Sequence, residues 1–349
     1  LTDTTKRSSP IYINEAFRGQ KTTGQQRYAA EIADRLSERE DFVPLRPSGR
    51  FRQSRALSWL WTLGVLPWRA RNGVLVSLTS RTPLRHGRHV VVVHDLFVLT
   101  NPEWYSRRYV QTHAPLLRGG LRGAEAVIAV SEPVARQVRE RNLTKAPIVV
   151  APNAASEHFD GNRTEADMEV LDRLDLRTDG YLLAVGSIEP RKNLDRLVAA
   201  YAALPEAVRE RVPLVLVGGG SEVFRRVTLD DTLGLRSAGY VSDADLAVLY
   251  RRSRGVVFPS LAEGFGLPIV EARRAGASLA VSDIEVFRWI ADDEVDYFDP
   301  LSEDAIRGAL ERLIDGQRPG GAGTRERSGR FSWAESAEAV ARAAAAVRT

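Results

Sequence analysis

The 349-residue chain contains no cysteine. Disulfide scaffolds, Cys-ligated zinc and cysteine nucleophiles are excluded, and a reducing compartment suits such a chain. It lacks any apolar run near the ~18 residues that would cross a bilayer. Its opening, "LTDTTKRSSP", lacks the apolar core of a signal peptide, so a cytoplasmic location is the expectation. Surplus charge of one sign is scarce too: 49 Lys and Arg stand against 45 Asp and Glu, for a net +4. That is too dilute for a nucleic-acid binder, and zinc-finger, basic-region and RNP-type patterns are missing. The sequence pI of about 9.5 still suits anionic ligands such as phosphates and nucleotides. A dinucleotide fingerprint is also missing, because "VGGGSEVF" spaces its glycines wrongly.

What the sequence does have is a packed globular composition, 44% hydrophobic, and a length that predicts two domains at ~150 residues each. Short β-branched runs ("IYINEAF", "GVLVSL", "HVVVVHD", "AEAVIAVS", "APIVVAPN") read as strands, with "RYAAEIADRLSER" and "EPVARQVRERN" as helices between them. An aspartate-rich polar stretch at 156–180 starts the linker. Alternation then resumes with "GYLLAVGS", "NLDRLVAAYAAL", "VPLVLVGGG", "DADLAVLYRRS", "GVVFPS", "LPIVEARRAG" and "ASLAVSD". This order predicts parallel sheets made of βαβ units. The expected fold is α/β, with two Rossmann-like doubly wound domains, 1–158 and 176–330, facing a cleft. A glycine-rich connector, "DGQRPGGAGTRERSGR", leads to a last helix over 332–349, capped by Ser332 and packing back on the first domain.

The stretch "SLAEGFGLPIVEARRAG" (260–276) sets Glu263 and Glu271 eight positions apart around a Gly-Phe-Gly turn. Ligands of open parallel sheets sit at the carboxyl ends of strands, where loops meet helix N-termini. "GVVFPS" supplies the strand, and Pro268 suits the start of a helix. Amides around Gly266, Leu267 and Ile269 then make a positive helix end fit for a phosphate. Gly264 and Gly266 let backbone approach a ligand. Carboxylates on either side can accept hydrogen bonds from vicinal hydroxyls, so a nucleotide sugar fits. Taken singly, Glu271 reads as a helix-dipole glutamate and Glu263 as a surface residue. In "VGSIEPRKNLDRL" (185–197) a strand ends at Val185 and Gly186. Adjacent Arg191 and Lys192 then suit a diphosphate, or form a solvated basic turn, and Asn193 is placed to cap the next helix.

These stretches, with "TTGQQRYA", "VVVVHDLFVLTNPEWYS", "AVIAVSEPVARQV", "VVAPNA", "GYVSDADLAVLYRRS" and "FSWAESAEAV", resemble the retaining GT-B glycosyltransferases of family 4, in particular the bacterial mannosyltransferases of polysaccharide and O-antigen assembly. The resemblance implies transfer of a hexose, mannose first, from a nucleoside-diphosphate sugar to an acceptor hydroxyl of a glycan, lipid-linked or small-molecule acceptor. GDP-mannose is the favoured donor, ahead of UDP-sugars, and no metal or other cofactor is expected. By the same resemblance Glu271 holds the ribose hydroxyls and Glu263 a hydroxyl of the transferred sugar. The backbone of Gly264, Phe265 and Gly266 touches that sugar, and the amides of Leu267 and Ile269 lie near the phosphates. Arg191 and Lys192 bind the diphosphate and stabilise the leaving group, and the backbone at Val241 reads the base. His94, after four valines, matches a histidine that meets the transferred sugar, but also reads as a histidine capping its strand. Gly24 matches a glycine close to the diphosphate or acceptor, or is an ordinary turn glycine. The phosphate loop at Gly186 departs from many relatives in carrying Ser187 where they have arginine, which leaves the charge to Arg191 and Lys192. Asp292, Asp293 and Asp296 read as a solvated loop rather than a metal site.

Residues 50–73 carry Trp59, Trp61 and Trp68 among arginines. Such a segment reads as a helix that packs a tryptophan face on the sheet, or as a peripheral contact with the inner face of a membrane. Other readings of the whole chain are a sugar-nucleotide epimerase, a pyridoxal-dependent phosphorylase, or a protein that binds nucleotide sugars without turnover. The Glu-x7-Glu segment together with Glu-Pro-Arg-Lys weighs against the two enzymes.

Overall fold

The computed structural model describes residues 9–20, 23–52, 54–220, 223–224, 232–293, 295–317 and 330–348. The middle of the expected connector, 318–329, lies outside them, as do Thr22 of the "TTGQQ" stretch with Lys21 before it, and Ser221 and Glu222 of "VGGGSEVF". The described residues of Leu1–Thr100, Arg107–Asn153 and Ser332–Thr349 gather into one compact unit. Those of Asn101–Ser106 and Ala154–Phe331 gather into a second.

The first unit holds strands β1 (Ile11–Asn14), β2 (Phe42–Leu45), β3 (Val74–Ser77), β4 (His89–Val93), β5 (Ala126–Ala129) and β6 (Ile148–Val150) in one sheet of order β2-β1-β3-β4-β5-β6. Every pairing is parallel. A parallel sheet covered on both faces explains the unbroken valine run of β4, whose residues are all buried. β2, "FVPL", is a strand absent from the runs singled out in the sequence. Its Pro44 is tolerated because β2 is the sheet's edge. The last helix, Trp333–Arg348, lies against this unit. Its Ser336 hydroxyl donates to the Pro152 carbonyl at 2.7 Å, Arg348 pairs with Asp41 at 2.8 Å, and Val340 and Ala344 are fully buried. Ser332 caps the helix by accepting from the Glu335 amide.

The segment after β2 forms short helices at Gly49–Arg52, Arg55–Leu60 and Leu66–Arg69, with a π-helical turn at Trp61–Val65. Trp61 is buried with Leu45, Leu66, Ala70 and Leu75, so one tryptophan does pack on the sheet. Trp68 points away from that cluster and is exposed.

The second unit holds β7 (Leu182–Val185), β8 (Leu214–Val217), β9 (Leu235–Gly239), β10 (Gly255–Phe258), β11 (Leu279–Ser282) and β12 (Asp296–Phe298), all parallel, in the order β12-β11-β10-β7-β8-β9. Both edge strands escape a pattern reading: β9 is "LRSAG" with no buried residue, and β12 is only three residues. Asp296 therefore lies in a strand rather than a solvated loop, and Arg312 grips it with two bonds of 2.7 and 3.0 Å. Asp292 pairs with Arg330. Among the described residues no group of three metal-ligating side chains comes together, and no helix is long and apolar enough to cross a membrane.

Candidate functional site

In the second sheet the chain runs outward from β7 through β8 to β9, then returns to place β10 on the other side of β7. The loops leaving β7 and β10 at their carboxyl ends diverge here and open the crevice in which open α/β sheets bind ligands. Residues 186–193 and 259–266 are these two loops, so the two stretches singled out in the sequence meet at the topological switch point.

Four charged side chains converge there. Lys192 donates to Glu263 Oε1 at 2.6 Å and Arg191 to Glu263 Oε2 at 2.5 Å. Arg191 also pairs with Glu189 at 2.6 Å, and the Ser260 hydroxyl donates to Glu263 Oε1 at 2.9 Å. Burial pushes the Glu263 carboxyl pKa up, and Arg191 and Lys192 outweigh it, holding the group at about 2. Neither cation is a solvated turn residue: Lys192 is buried and Arg191 mostly so. A carboxylate offers about four lone-pair sites. Three on Glu263 are taken by Lys192, Arg191 and Ser260, which leaves roughly one for a sugar hydroxyl.

Backbone geometry builds this cluster. Gly186 has φ +156°, and a Cβ there would lie 3.1 Å from Lys192 Cε, so the lysine stem runs over a position that only glycine leaves open. The Leu261 amide donates to the Arg191 carbonyl at 2.8 Å and stitches the two loops together. Asn193 does not cap its helix. It adopts a left-handed φ of 55°, and its side-chain amide donates to the carbonyls of Pro259 (3.0 Å) and Pro300 (2.8 Å), tying the β7 loop to those after β10 and β12.

The Leu267–Arg274 helix starts at Gly266, whose φ of +95° suits glycine and whose amide end no side chain caps. Pro268 falls in its first turn, and Glu271 is buried within it. The Ile269 amide donates to the Gly266 carbonyl at 2.9 Å. Of the two amides expected near the phosphates, that of Leu267 is the one without an acceptor among the described residues. The Phe265 side chain is buried against Trp289 and Phe331, with ring centroids 6.1 and 5.3 Å away, which anchors the Gly264–Gly266 backbone from behind. Ser187 follows Gly186 at the loop's mouth, half-buried, and Val241 follows β9, also half-buried.

His94 and Gly24 belong to the first unit. His94 directly follows β4 and is buried, with Nε2 2.9 Å from the Leu78 carbonyl and its ring edge-on to Tyr28 at 5.1 Å. Burial lowers its pKa to about 4 against the raising effect of that carbonyl, so the imidazole is neutral near pH 7. Gly24 is the first residue of the Gly24–Ser37 helix, and a Cβ on it would meet nothing within 4 Å, so packing does not demand a glycine. Sequence reasoning missed Glu189, Ser260 and the bridging role of Asn193. A glutamate two places before Arg-Lys was the one available signal for the first.

Two family descriptions match this chain, "Glycosyltransferase Family 4" over residues 73–157 and "Glycosyl transferases group 1" over residues 173–330. The chain is 33% identical over 242 residues to the O-antigen chain mannosyltransferase B of Escherichia coli, a match that covers 67% of this chain and 63% of that one. It is 32% identical over 267 residues to the serotype-specific mannosyltransferase WbdA of Escherichia coli, covering 71% of this chain and 32% of that protein. These matches thus span less than two thirds of either relative. In fold it resembles Anabaena HepE in complex with UDP-glucose (TM-score 0.71, 15% identity, 97% of this chain and all of that one). It also resembles the sucrose-phosphate synthase of Thermosynechococcus elongatus (TM-score 0.69, 17% identity, 96% and 98% covered). With both halves of the family pattern present and the fold shared along the chain, this protein belongs to the family 4 glycosyltransferases of GT-B fold.

Proposed function

We propose that the protein transfers a hexose from a nucleoside-diphosphate sugar to an acceptor hydroxyl in glycan assembly, with retention of configuration and without a metal ion. One observation carries this reading: Arg191, Lys192 and Glu263 cluster at the switch point of the second sheet, beside the uncapped start of the Leu267–Arg274 helix. As the bond from sugar to diphosphate breaks, negative charge builds on the departing phosphate. Two cations already fixed by carboxylates, and a helix end, favour that charge without reorganising when it appears. Glu271 is assigned to the ribose hydroxyls, and the lone-pair site left on Glu263 to a hydroxyl of the sugar.

Mannose is the favoured sugar, since both Escherichia coli relatives are named mannosyltransferases. GDP-mannose follows as the first donor to test. A UDP-hexose is the second reading, because HepE, alike in fold, is seen with UDP-glucose. Thermal-shift screening against GDP-, UDP-, ADP- and dTDP-sugars tests both, since a ligand that binds the native state raises the melting temperature by mass action. A shift with GDP-mannose that Glu271→Ala abolishes, unchanged by chelator, is expected. A shift indifferent to Glu271→Ala removes the ribose assignment, and a lack of shift with every donor removes the proposal. The anomeric configuration of the first product, read by NMR, tests retention.

A further inference from the structure

The helical segment after β2 leaves an apolar face in water. Leu60 is 55% exposed, Leu63 43% and Trp68 64%. Ala56 and Gly64 are exposed with them, so apolar residues recur three and four apart along one side. Trp61, Leu66 and Ala70 are buried on the other side. Three of the nine large hydrophobic side chains exposed among the described residues thus fall within nine residues of sequence.

The charge around this face is as lopsided as its polarity. Residues 42–94 contain nine arginines and no Asp, Glu or Lys, so the rest of the chain, with 40 basic residues against 45 acidic, is net negative. Arg69 and Arg71 follow Trp68, are exposed, and have no carboxylate partner among the described residues. The Arg71 guanidinium lies 4.6 Å over the Trp68 ring, and that of Arg69 5.8 Å over Trp61. An apolar stripe ending in tryptophan and arginine is the pattern of a helix that lies in a bilayer interface.

We infer that this face docks on an anionic lipid surface. A bilayer offers both chemistries at once, acyl chains for Leu60, Leu63 and Trp68, and lipid phosphates for the arginines. A nucleic acid would leave the leucines unanswered, and a second copy would bring the same unpaired arginines against these. The inference stands whether or not the chain transfers mannose.

The test is co-sedimentation of the full chain with phosphatidylcholine vesicles containing one-third phosphatidylglycerol, and with phosphatidylcholine alone. Binding to the anionic vesicles that weakens as salt rises is expected. Leu60→Ser with Trp68→Ser should lower it about tenfold or more, and Arg69→Gln with Arg71→Gln roughly fivefold per charge. Quenching of tryptophan emission by brominated lipid should fall in Trp68→Phe. Thermal melts that match the wild type show that each variant folds. No binding at low salt, or binding that the Leu60/Trp68 pair does not alter, overturns the inference. So does a dimer in lipid-free solution that the same pair abolishes.

Discussion

Arg191 and Lys192 are each held by carboxylates that fix where their charges point. Either Arg191→Ala or Lys192→Ala should lower kcat about 10²-fold, the cost of removing one preorganised stabiliser of developing charge. Steady-state kinetics with the donor found by thermal shift will read this. Glu263→Gln should instead cost stability, about 3 kcal/mol or more in a urea titration, because it strands two largely buried cations. The pH dependence has a definite sign. With its folded pKa near 2, below its ordinary value, Glu263 contributes stability that is complete above about pH 4.5 and lost as pH falls towards 2.

Between elements, the loops after β7, β10 and β12 are fastened by the two carbonyls that Asn193 serves. Asn193→Ala leaves both buried carbonyls short of a donor and should cost about 1–3 kcal/mol. A lower melting temperature and a weaker donor-induced shift together would bear this out, and an unchanged donor shift would limit Asn193 to stability. Gly186→Ala should displace the Lys192 stem, since the new Cβ would sit 3.1 Å from Cε at a φ that side chains avoid. Its expected signature is the kinetic loss of Lys192→Ala, with the lysine still present.

Over the whole molecule, the buried histidines His89 and His94 add to the acid sensitivity. Burial lowers His89 to about 3, with His86 adding to the effect, and His94 to about 4. Both folded values lie below the ordinary histidine range, so the unfolded chain takes up protons first as pH falls. Stability from His94 is complete above about pH 6.5 and declines to about pH 4, and that from His89 declines to about pH 3, by at most about 1.4 kcal/mol per pH unit for each. Urea midpoints at pH 7 and 5 should show this slope, and His89→Gln should flatten it. Removal of residues 333–348 should lower the melting temperature sharply, because the last helix buries Trp333, Val340 and Ala344 on the first unit.

The sequence by itself determined the alternation of strands and helices, the carboxylate pair of the Glu-x7-Glu segment, and the Arg-Lys pair at a strand end. Such features are local: side-chain periodicity, a Gly-Phe-Gly turn and a proline-started helix are written in neighbouring residues. The edge strands β2, β9 and β12 were not legible, since an edge tolerates proline, polar residues and short length that a central strand rejects. Only the tertiary structure decided that residues 71 and 72 positions apart would share Glu263, that Glu189 would be buried beside Arg191, and that Asn193 would bridge two loops instead of capping a helix. Those pairings depend on the strand order that brings β7 beside β10, and strand order is fixed by packing across the sheet rather than by any one segment.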